Sequence, residues 1–555
     1  INIIEHNIYK VIDEVDEISF LKVDEIARKM NIDENDIRRI KACILYIFKD
    51  ITFKNGDTYL EYIDLYKNTC SYFKYNINEE DFFNYLKELV DEEKIVFDNN
   101  KYYLKQIWED ENIIVEKINI LIKKEKTNYK DIEKNIKDLE KENNIIYNDL
   151  QKEAIVSSLE NNIQIITGGP GTGKTTIIKA IVELYKYLNN LDYEELIKEV
   201  SLLAPTGRAA KRISESTNMP ANTIHRFLKW NKETNQFGVN EYNKDHSKLF
   251  IIDEVSMIDI CLLSSLFKGI NNNIKIILVG DYNQLPSVGP GQILKDLIDS
   301  NIVSTVHLNY LYRQDENSYI TTLAHEIKNN SLNESFLESK SDYTFLKCSS
   351  NTIKNNLSNI CEQIISKGYD YKRVQIMAPM YAGINGIDNL NKELQKVFNP
   401  HNKDKKELKY EDVIFRENDK ILQLVNIPEE NVYNGDLGII KKIYTSDIST
   451  SGKNEIHVDF DGNLVKYMPK DFGKIKHGYI ISIHKSQGSE FEVVVIPISL
   501  TYKRMLYRKL IYTAITRAKR KLILLGEPDS FIYSVQNNNE YTRKTNLLRK
   551  LNNDV

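Results

Sequence analysis

Gly168-Gly169-Pro170-Gly171-Thr172-Gly173-Lys174-Thr175 constrains this chain more than any other stretch, because it matches GxxxxGK[ST] in the right context. An apolar run, Ile163 to Thr167, precedes it, and a helical run, Thr175 to Tyr187, follows. A strand that enters a helix through a glycine turn belongs to a parallel α/β fold, with the turn's amides converging at the positive end of the helix. Phosphate oxygens suit that position. Lys174 is placed to neutralise the β- and γ-phosphates of a bound ATP, the Thr175 hydroxyl to ligate Mg²⁺, and Thr176 to extend the nucleotide-binding set.

Such a loop needs a carboxylate from a neighbouring strand. Leu249-Phe250-Ile251-Ile252-Asp253-Glu254 supplies two where an apolar strand would emerge. Asp253 is the expected metal ligand and Glu254 the expected general base that orients or deprotonates the attacking water. Hydrolysis also calls for positive charge at the γ-phosphate, where an arginine is worth roughly 10³ to 10⁵ in rate. Arg313, near the end of the first α/β region, and Arg517, in a second one, are the candidates.

Further apolar strand candidates at Val200 to Ala204, Leu249 to Ile252 and Ile274 to Val279 continue the first α/β rhythm. Val374 to Ala378, Tyr479 to Ile483, Val493 to Pro497 and Lys521 to Leu525 make a second set, so two parallel-sheet domains are predicted. Between them, residues 403–477 carry short strands and turn residues. Asp461-Gly462, flanked by apolar positions, predicts a hairpin within a small inserted β-domain. Residues 1–122 carry amphipathic helical spacing, for example Leu21 to Met30 and Asp36 to Phe48, and predict an N-terminal helical domain. Residues 123–146 interleave Lys and Glu and predict a solvated connector; 534–555 are polar and Asn-rich and predict a fraying tail.

The remaining composition excludes several classes. No apolar stretch approaches the roughly 20 residues needed to span a bilayer, so no membrane partner is expected. The 5 cysteines include no CxxC pair and are odd in number, which predicts a reducing, cytoplasmic setting. A net charge of −5 offers no global attraction for nucleic acid, so any such contact must come from local basic patches. One lies at Tyr502 to Arg520, where Lys503, Arg504, Arg508, Lys509, Arg517, Lys519 and Arg520 occur without an acid. Neutralising Z phosphates of a single strand there predicts a log–log salt slope of about −0.7Z. Tyr502 and Tyr507 either stack bases or pack in the core.

Taken in order, further stretches complete a pattern: Ala204-Pro205-Thr206-Gly207-Arg208-Ala209-Ala210, Thr223-Ile224-His225-Arg226, Gly280-Asp281-Tyr282-Asn283-Gln284-Leu285-Pro286, Leu311-Tyr312-Arg313-Gln314, His484 to Glu490 and Tyr512 to Arg517. With the phosphate loop and Asp253-Glu254, they make the chain resemble a superfamily 1 DNA helicase of the RecD-like, 5′→3′ branch. The resemblance covers residues 147 to 530. It implies two RecA-like domains, 147–335 and 336–402 with 478–533, and an SH3-like barrel at 403–477. The segment 229–248 resembles the pin that splits the duplex.

The resemblance further implies that Gln151 reads the adenine, Gln284 senses the γ-phosphate, and Glu490 lies near the ribose. Arg313 and Arg517 become the two arginines facing the phosphates. Pro205, Thr206, Arg208, His225, His484, Lys485 and Ser486 become the strand contacts. The implied partners are single-stranded DNA and single-strand/duplex junctions, and the implied state is a monomer. Val11 to Ile32 resembles the family's helical region before the motor, but Glu17 and Ser19 stand where a helix-hairpin-helix turn would carry glycines, which argues against direct phosphate contact there. The family's extreme N-terminal part is expected to lie outside this sequence.

Overall fold

A computed structural model describes residues 7–14, 19–231, 234–309, 318–538 and 541–553. Two parallel sheets form its centre. The first has the strand order Thr305–Leu308, Ile163–Gly168, Lys275–Gly280, Leu249–Ile252, Val200–Ala204, Ala221–Thr223, parallel throughout. Its strands are nearly continuous apolar runs because helices cover both faces. The strand carrying the phosphate loop lies inside the sheet, and its C-terminal end opens on the same edge as Ile252 and Gly280. That edge is where α/β proteins bind ligands.

The second sheet, in the order Tyr343–Lys347, Ala518–Gly526, Phe491–Ile498, Val374–Ala378, Ile480–Ser482, is likewise parallel. The two α/β cores expected from the sequence are therefore present. Between them a five-stranded antiparallel sheet runs in the order Asn463–Tyr467, Glu455–Phe460, Leu437–Tyr444, Lys420–Gln423, Ile475–His477. Its predicted turn is formed by Asp461 at φ 52° and Gly462 at φ 93°, the paired left-handed conformations that match the strand twist.

Other segments pack differently from the expectation. The N-terminal region contains helices Phe20–Lys29, Ile37–Asn55, Tyr62–Phe73 and Glu79–Asp91, but also a hairpin pairing Ile95–Asp98 with Lys101–Leu104. Asn99 and Asn100, at φ 50° and 60°, turn it. Helix Lys105–Ile122 places Ile114, Val115, Ile118 and Leu121 in the core of the first sheet rather than in the helical domain. Residues 123–146 are not a solvated bridge: helix Ile132–Asn143 buries Ile132, Ile136 and Leu139 against the first sheet's other face. These positions form one helical stripe, and the charges occupy the opposite side.

The polar tail does not fray over its described part. Helix Leu547–Asn553 buries Leu547 and Leu551 completely in the first sheet's core. Just before it, Thr58 N–H donates to Lys544 O at 2.8 Å, and Lys544 N–H donates to Asp57 Oδ1 at 2.8 Å. Arg543 donates to the carbonyls of Ser287, Gly289 and Gly291. The chain end thereby clasps the helical N-terminal region to the first α/β core.

Candidate active site

The phosphate loop adopts its wrapped form because glycine occupies its two left-handed positions, Gly171 at φ 74° and Gly173 at φ 87°. A Cβ on Gly173 would also fall 2.4 Å from Gln151 Nε2. Helix Lys174–Leu188 starts immediately after, so its first amides face the loop. Lys174 Nζ donates to Gly168 O at 2.7 Å and Gly169 O at 2.9 Å, holding the loop closed on itself. Thr172 Oγ1 donates to Gly169 O.

Asp253 and Glu254 follow the neighbouring strand and are 1% and 4% exposed. Glu254 takes a left-handed backbone conformation, φ 54°, and its N–H donates to Asp253 Oδ1 at 2.8 Å. A bulky residue held in that region marks a site whose surroundings over-determine it. Burial and the adjacent Glu254 charge push Asp253 upward. Burial acts the same way on Glu254, but Arg212, Arg517 and Lys174 outweigh it and keep the carboxyl below its ordinary range. The ionised form of Glu254 is thereby favoured.

These groups open on a cavity of about 930 Å³ between the two α/β domains. One wall carries Gly171, Lys174, Thr175, Thr176, Glu254 and Gln284; the other carries Glu490, Arg517, Lys519 and Arg520. Arg517 is 3% exposed and is fixed by donating Nε to Thr513 O at 3.1 Å and Nη1 to Ser489 O at 3.2 Å. Gln284 Nε2 donates to Asp281 Oδ2 at 3.2 Å, and Tyr512 of the second domain donates its hydroxyl to the same oxygen at 2.9 Å. Burial and the Asp281 charge push the Tyr512 phenol far above its usual range, so it remains a donor. Two more bonds cross the seam, Leu285 N–H to Thr513 Oγ1 and Gln487 Nε2 to Leu285 O, each 3.0 Å.

Residues expected at the adenine and the strand are held by contacts within the protein. Gln151, expected at the adenine, is buried beside the phosphate loop, accepting from Asn148 N–H and donating to Thr172 O. Arg313 lies outside the described residues. Ser486, expected at the strand, is fully buried and donates to Ile483 O at 2.7 Å, holding its turn. Thr206 caps helix Gly207–Thr217, accepting from Ala209 N–H, with Pro205 just before it. Arg208 spans the seam, donating to Ser489 Oγ at 2.9 Å and facing Asp436 of the inserted β-domain at 3.9 Å.

Lys485 donates to Asn434 of that same β-domain. Burial pulls Lys485 and the imidazoles of His225 and His484 downward, which favours neutral rings. His225 lies beside a short hairpin in which Trp230 pairs Phe237, at the place expected for the pin; residues 232–233 lie outside the described residues.

The basic run 502–520 does not form one face. Tyr502 is 2% exposed and donates to Asn385 O, so it belongs to the core, while Lys519 pairs Glu490 at 3.2 Å in the nucleotide cavity. Conversely, the sequence reading passed over Arg212, which reaches Asp253 at 3.2 Å and Glu254 at 2.9 Å. Its signal was available: it stands four residues after Arg208, on the same helix face.

A phosphate loop on one parallel-sheet domain, closed over by basic and acidic side chains from a second, defines a P-loop fold of two RecA-like domains that share one cavity. The chain is similar to the RecD-like branch of the superfamily 1 helicases. Residues 151–290 match an AAA domain model, 390–460 the ATP-dependent RecD-like DNA helicase SH3 domain, 477–525 the UvrD-like helicase C-terminal domain, and 1–59 the ATP-dependent RecD2 DNA helicase HHH domain. The ATP-dependent RecD2 DNA helicase of Deinococcus radiodurans is 30% identical over 391 residues, 70% of this chain and 50% of that protein. The RecBCD enzyme subunit RecD of Buchnera aphidicola subsp. Schizaphis graminum is 28% identical over 469 residues, 69% of this chain and 74% of that one. The chain therefore spans about half the length of the first relative and about three quarters of the second. A crystal structure of Pif1 helicase from Candida albicans superposes with a TM-score of 0.42 at 17% identity, covering 72% of this chain and 98% of that one.

Proposed function

We propose that the chain is an ATP-dependent DNA helicase that moves 5′→3′ along single-stranded DNA as a monomer and separates duplex at single-strand/duplex junctions. The observation that carries this is the shared cavity, in which Lys174, Thr175 and Glu254 from one domain face Arg517, Glu490 and Lys519 from the other. ATP held there touches both domains, so its cleavage and release change their spacing.

The residues divide the work as follows. Loop amides and Lys174 bind the phosphates, which requires Lys174 to leave the carbonyls of Gly168 and Gly169. Glu254 orients the attacking water and takes its proton. Arg517, with Arg313 as its expected counterpart, offsets the charge that develops on the γ-phosphate. Gln284 and Tyr512, both on Asp281 Oδ2, relay loss of that charge across the seam. Helix Gly207–Thr217, with Thr206 and Arg208 at its start, and the Lys485 turn are the proposed strand grips, and the Trp230–Phe237 hairpin is the proposed pin.

The donor set fits magnesium. Thr175 and Asp253 offer oxygen only, and among the described residues no group of three His, Cys, Asp or Glu could cage a metal. One hydroxyl and one carboxylate, completed by phosphate oxygens and water, suit a small hard cation. Bound there, it would neutralise the β- and γ-oxygens. Among the described residues no helix is long and apolar enough to cross a membrane.

Strand displacement on duplexes with a 5′ or a 3′ single-stranded tail, with and without ATP, tests the proposal. Unwinding only from the 5′ tail and only with ATP is expected. ATP hydrolysis stimulated by the strand without displacement would reduce the protein to a translocase, and unwinding from the 3′ tail would reverse the polarity. Deletion of residues 230–237 should abolish displacement while strand-stimulated hydrolysis persists; intact displacement would remove the pin assignment.

A further inference from the structure

Arg212 lies on the helix that starts at the three-domain seam and ends beside the catalytic acids. Its Nη2 donates to Glu254 Oε1 at 2.9 Å and to Asp253 Oδ2 at 3.2 Å, and Nη1 is 3.7 Å from Glu490 Oε1. Two of these acids come from the first domain and the third from the second. One turn earlier, Arg208 touches Ser489 of the second domain and faces Asp436 of the β-domain. The helix between is short and stiff, and Ala209, Ala210 and Ile213 seat it in the core.

The Arg212 contacts conflict with catalysis. A divalent cation on Asp253 would sit against a guanidinium already on that carboxylate, and the two positive charges compete for it. Glu254 must accept a proton from water, yet one of its oxygens already accepts from Arg212. The cost of this position is visible in Arg212 itself: its Nε–H is buried with no hydrogen-bond partner. A side chain that satisfies two acids while orphaning its own buried donor is poised for a second arrangement.

We propose that Arg212 is a positioning residue that holds Asp253 and Glu254 when no strand is bound, and that strand binding at the Thr206–Arg208 end of its helix withdraws it, admitting the metal and freeing the base. This rests on the proposed motor function and names its regulation: hydrolysis is coupled to the polymer through one helix.

The test uses the full chain as wild type, Arg212→Gln and Arg212→Lys, with thermal melts to establish folding. The Mg²⁺ concentration for half-maximal binding of a fluorescent N-methylanthraniloyl ATP is measured without DNA, and ATP hydrolysis with and without oligo(dT). The Gln variant should need about fivefold less Mg²⁺ or lower still, and should hydrolyse ATP without DNA faster by a similar factor. Its DNA-stimulated rate should change less, so the stimulation ratio collapses. The Lys variant, which keeps the charge but loses the fork, should fall between, and it carries the test alone if Gln does not fold.

An unchanged Mg²⁺ requirement with an unchanged stimulation ratio overturns the proposal. So does an equal loss of both rates with no Mg²⁺ shift, which would make Arg212 a direct phosphate charge. Wild-type protein that hydrolyses no ATP with or without DNA would refute the motor function instead, while the Mg²⁺ titration would still decide the Arg212 contact.

Discussion

Replacing Arg543 by alanine removes the cation that fastens the tail beneath the loop following Pro286. Its Nη1 donates to Gly289 O at 2.9 Å, Gly291 O at 2.6 Å and Ser287 Oγ at 3.2 Å, and Nη2 donates to Ser287 O. The same guanidinium fills the space beside Gly56, where a Cβ would come within 2.2 Å of Arg543 Cζ. Hydrogen bonds from a charged donor are each worth about 1.5 to 3 kcal/mol, and buried carbonyls left unpaired cost a comparable amount. The contacts share one side chain and do not add, and water reaches part of the gap. The net loss should be about 3 kcal/mol, roughly a hundredfold in the docking equilibrium of the tail.

Amide hydrogen exchange reads this directly, because Thr58 N–H and Lys544 N–H are bonded only when the tail is seated. Both should exchange roughly a hundredfold faster in Arg543→Ala, while amides of strand Ile163–Gly168 keep wild-type protection. Unchanged exchange at Thr58 and Lys544 would show that Leu547 and Leu551 hold the tail unaided, and would refute the anchoring role of Arg543. Faster exchange throughout the first sheet would show that the tail is not a separable unit.

Three other perturbations test the site and its surroundings. Glu254→Gln should keep ATP and strand binding but lose turnover by about 10² to 10⁴, measured as phosphate release with DNA present; normal turnover would remove Glu254 from the base role. Lys174→Ala should weaken nucleotide binding about tenfold or more as well as slow hydrolysis, and unchanged affinity would count against the phosphate cradle. Asp296, buried under Thr545 and Gln292, is pushed up to about 7 by burial first, with Glu111 adding and the side-chain hydrogen bonds opposing. Its folded pKa exceeds its unfolded one, so its stabilising contribution is whole below about pH 4 and lost as pH rises through about 7, with a ceiling of roughly 4 kcal/mol. Asp296→Asn should flatten thermal stability between those limits; parallel melting curves for variant and wild type would contradict this.

What could be read from sequence was local. The phosphate loop declares itself because its conformation depends on neighbouring residues: Gly171 and Gly173 adopt left-handed angles that side chains resist. Asp461-Gly462 announced its hairpin for the same reason, and Asn99-Asn100 could have announced another. The apolar runs marked most strands of both parallel sheets, since strands buried on both faces have no polar alternation to hide them. The edge strand Tyr343–Lys347, with its mixed burial, escaped notice.

Charge was the poorer guide. The run 502–520 looked like one basic surface, yet folding sends Arg517 and Lys519 to the nucleotide cavity and buries Tyr502. The stretches 123–146 and 534–555 looked solvated because charge and asparagine dominate their composition. Their burial rests on a few residues at helical spacing, Ile132, Ile136 and Leu139 in one and Leu547 and Leu551 in the other, and an apolar stripe does not say what will cover it. The order of motifs, the two α/β cores and the identity of the acids and the lysine were determined by the sequence itself, through short-range backbone preference and periodicity. Which domain Arg212 serves, how Tyr512 reaches Asp281, and that the chain end clasps its beginning were decided by tertiary structure alone, because each depends on a distance between residues that no local pattern links.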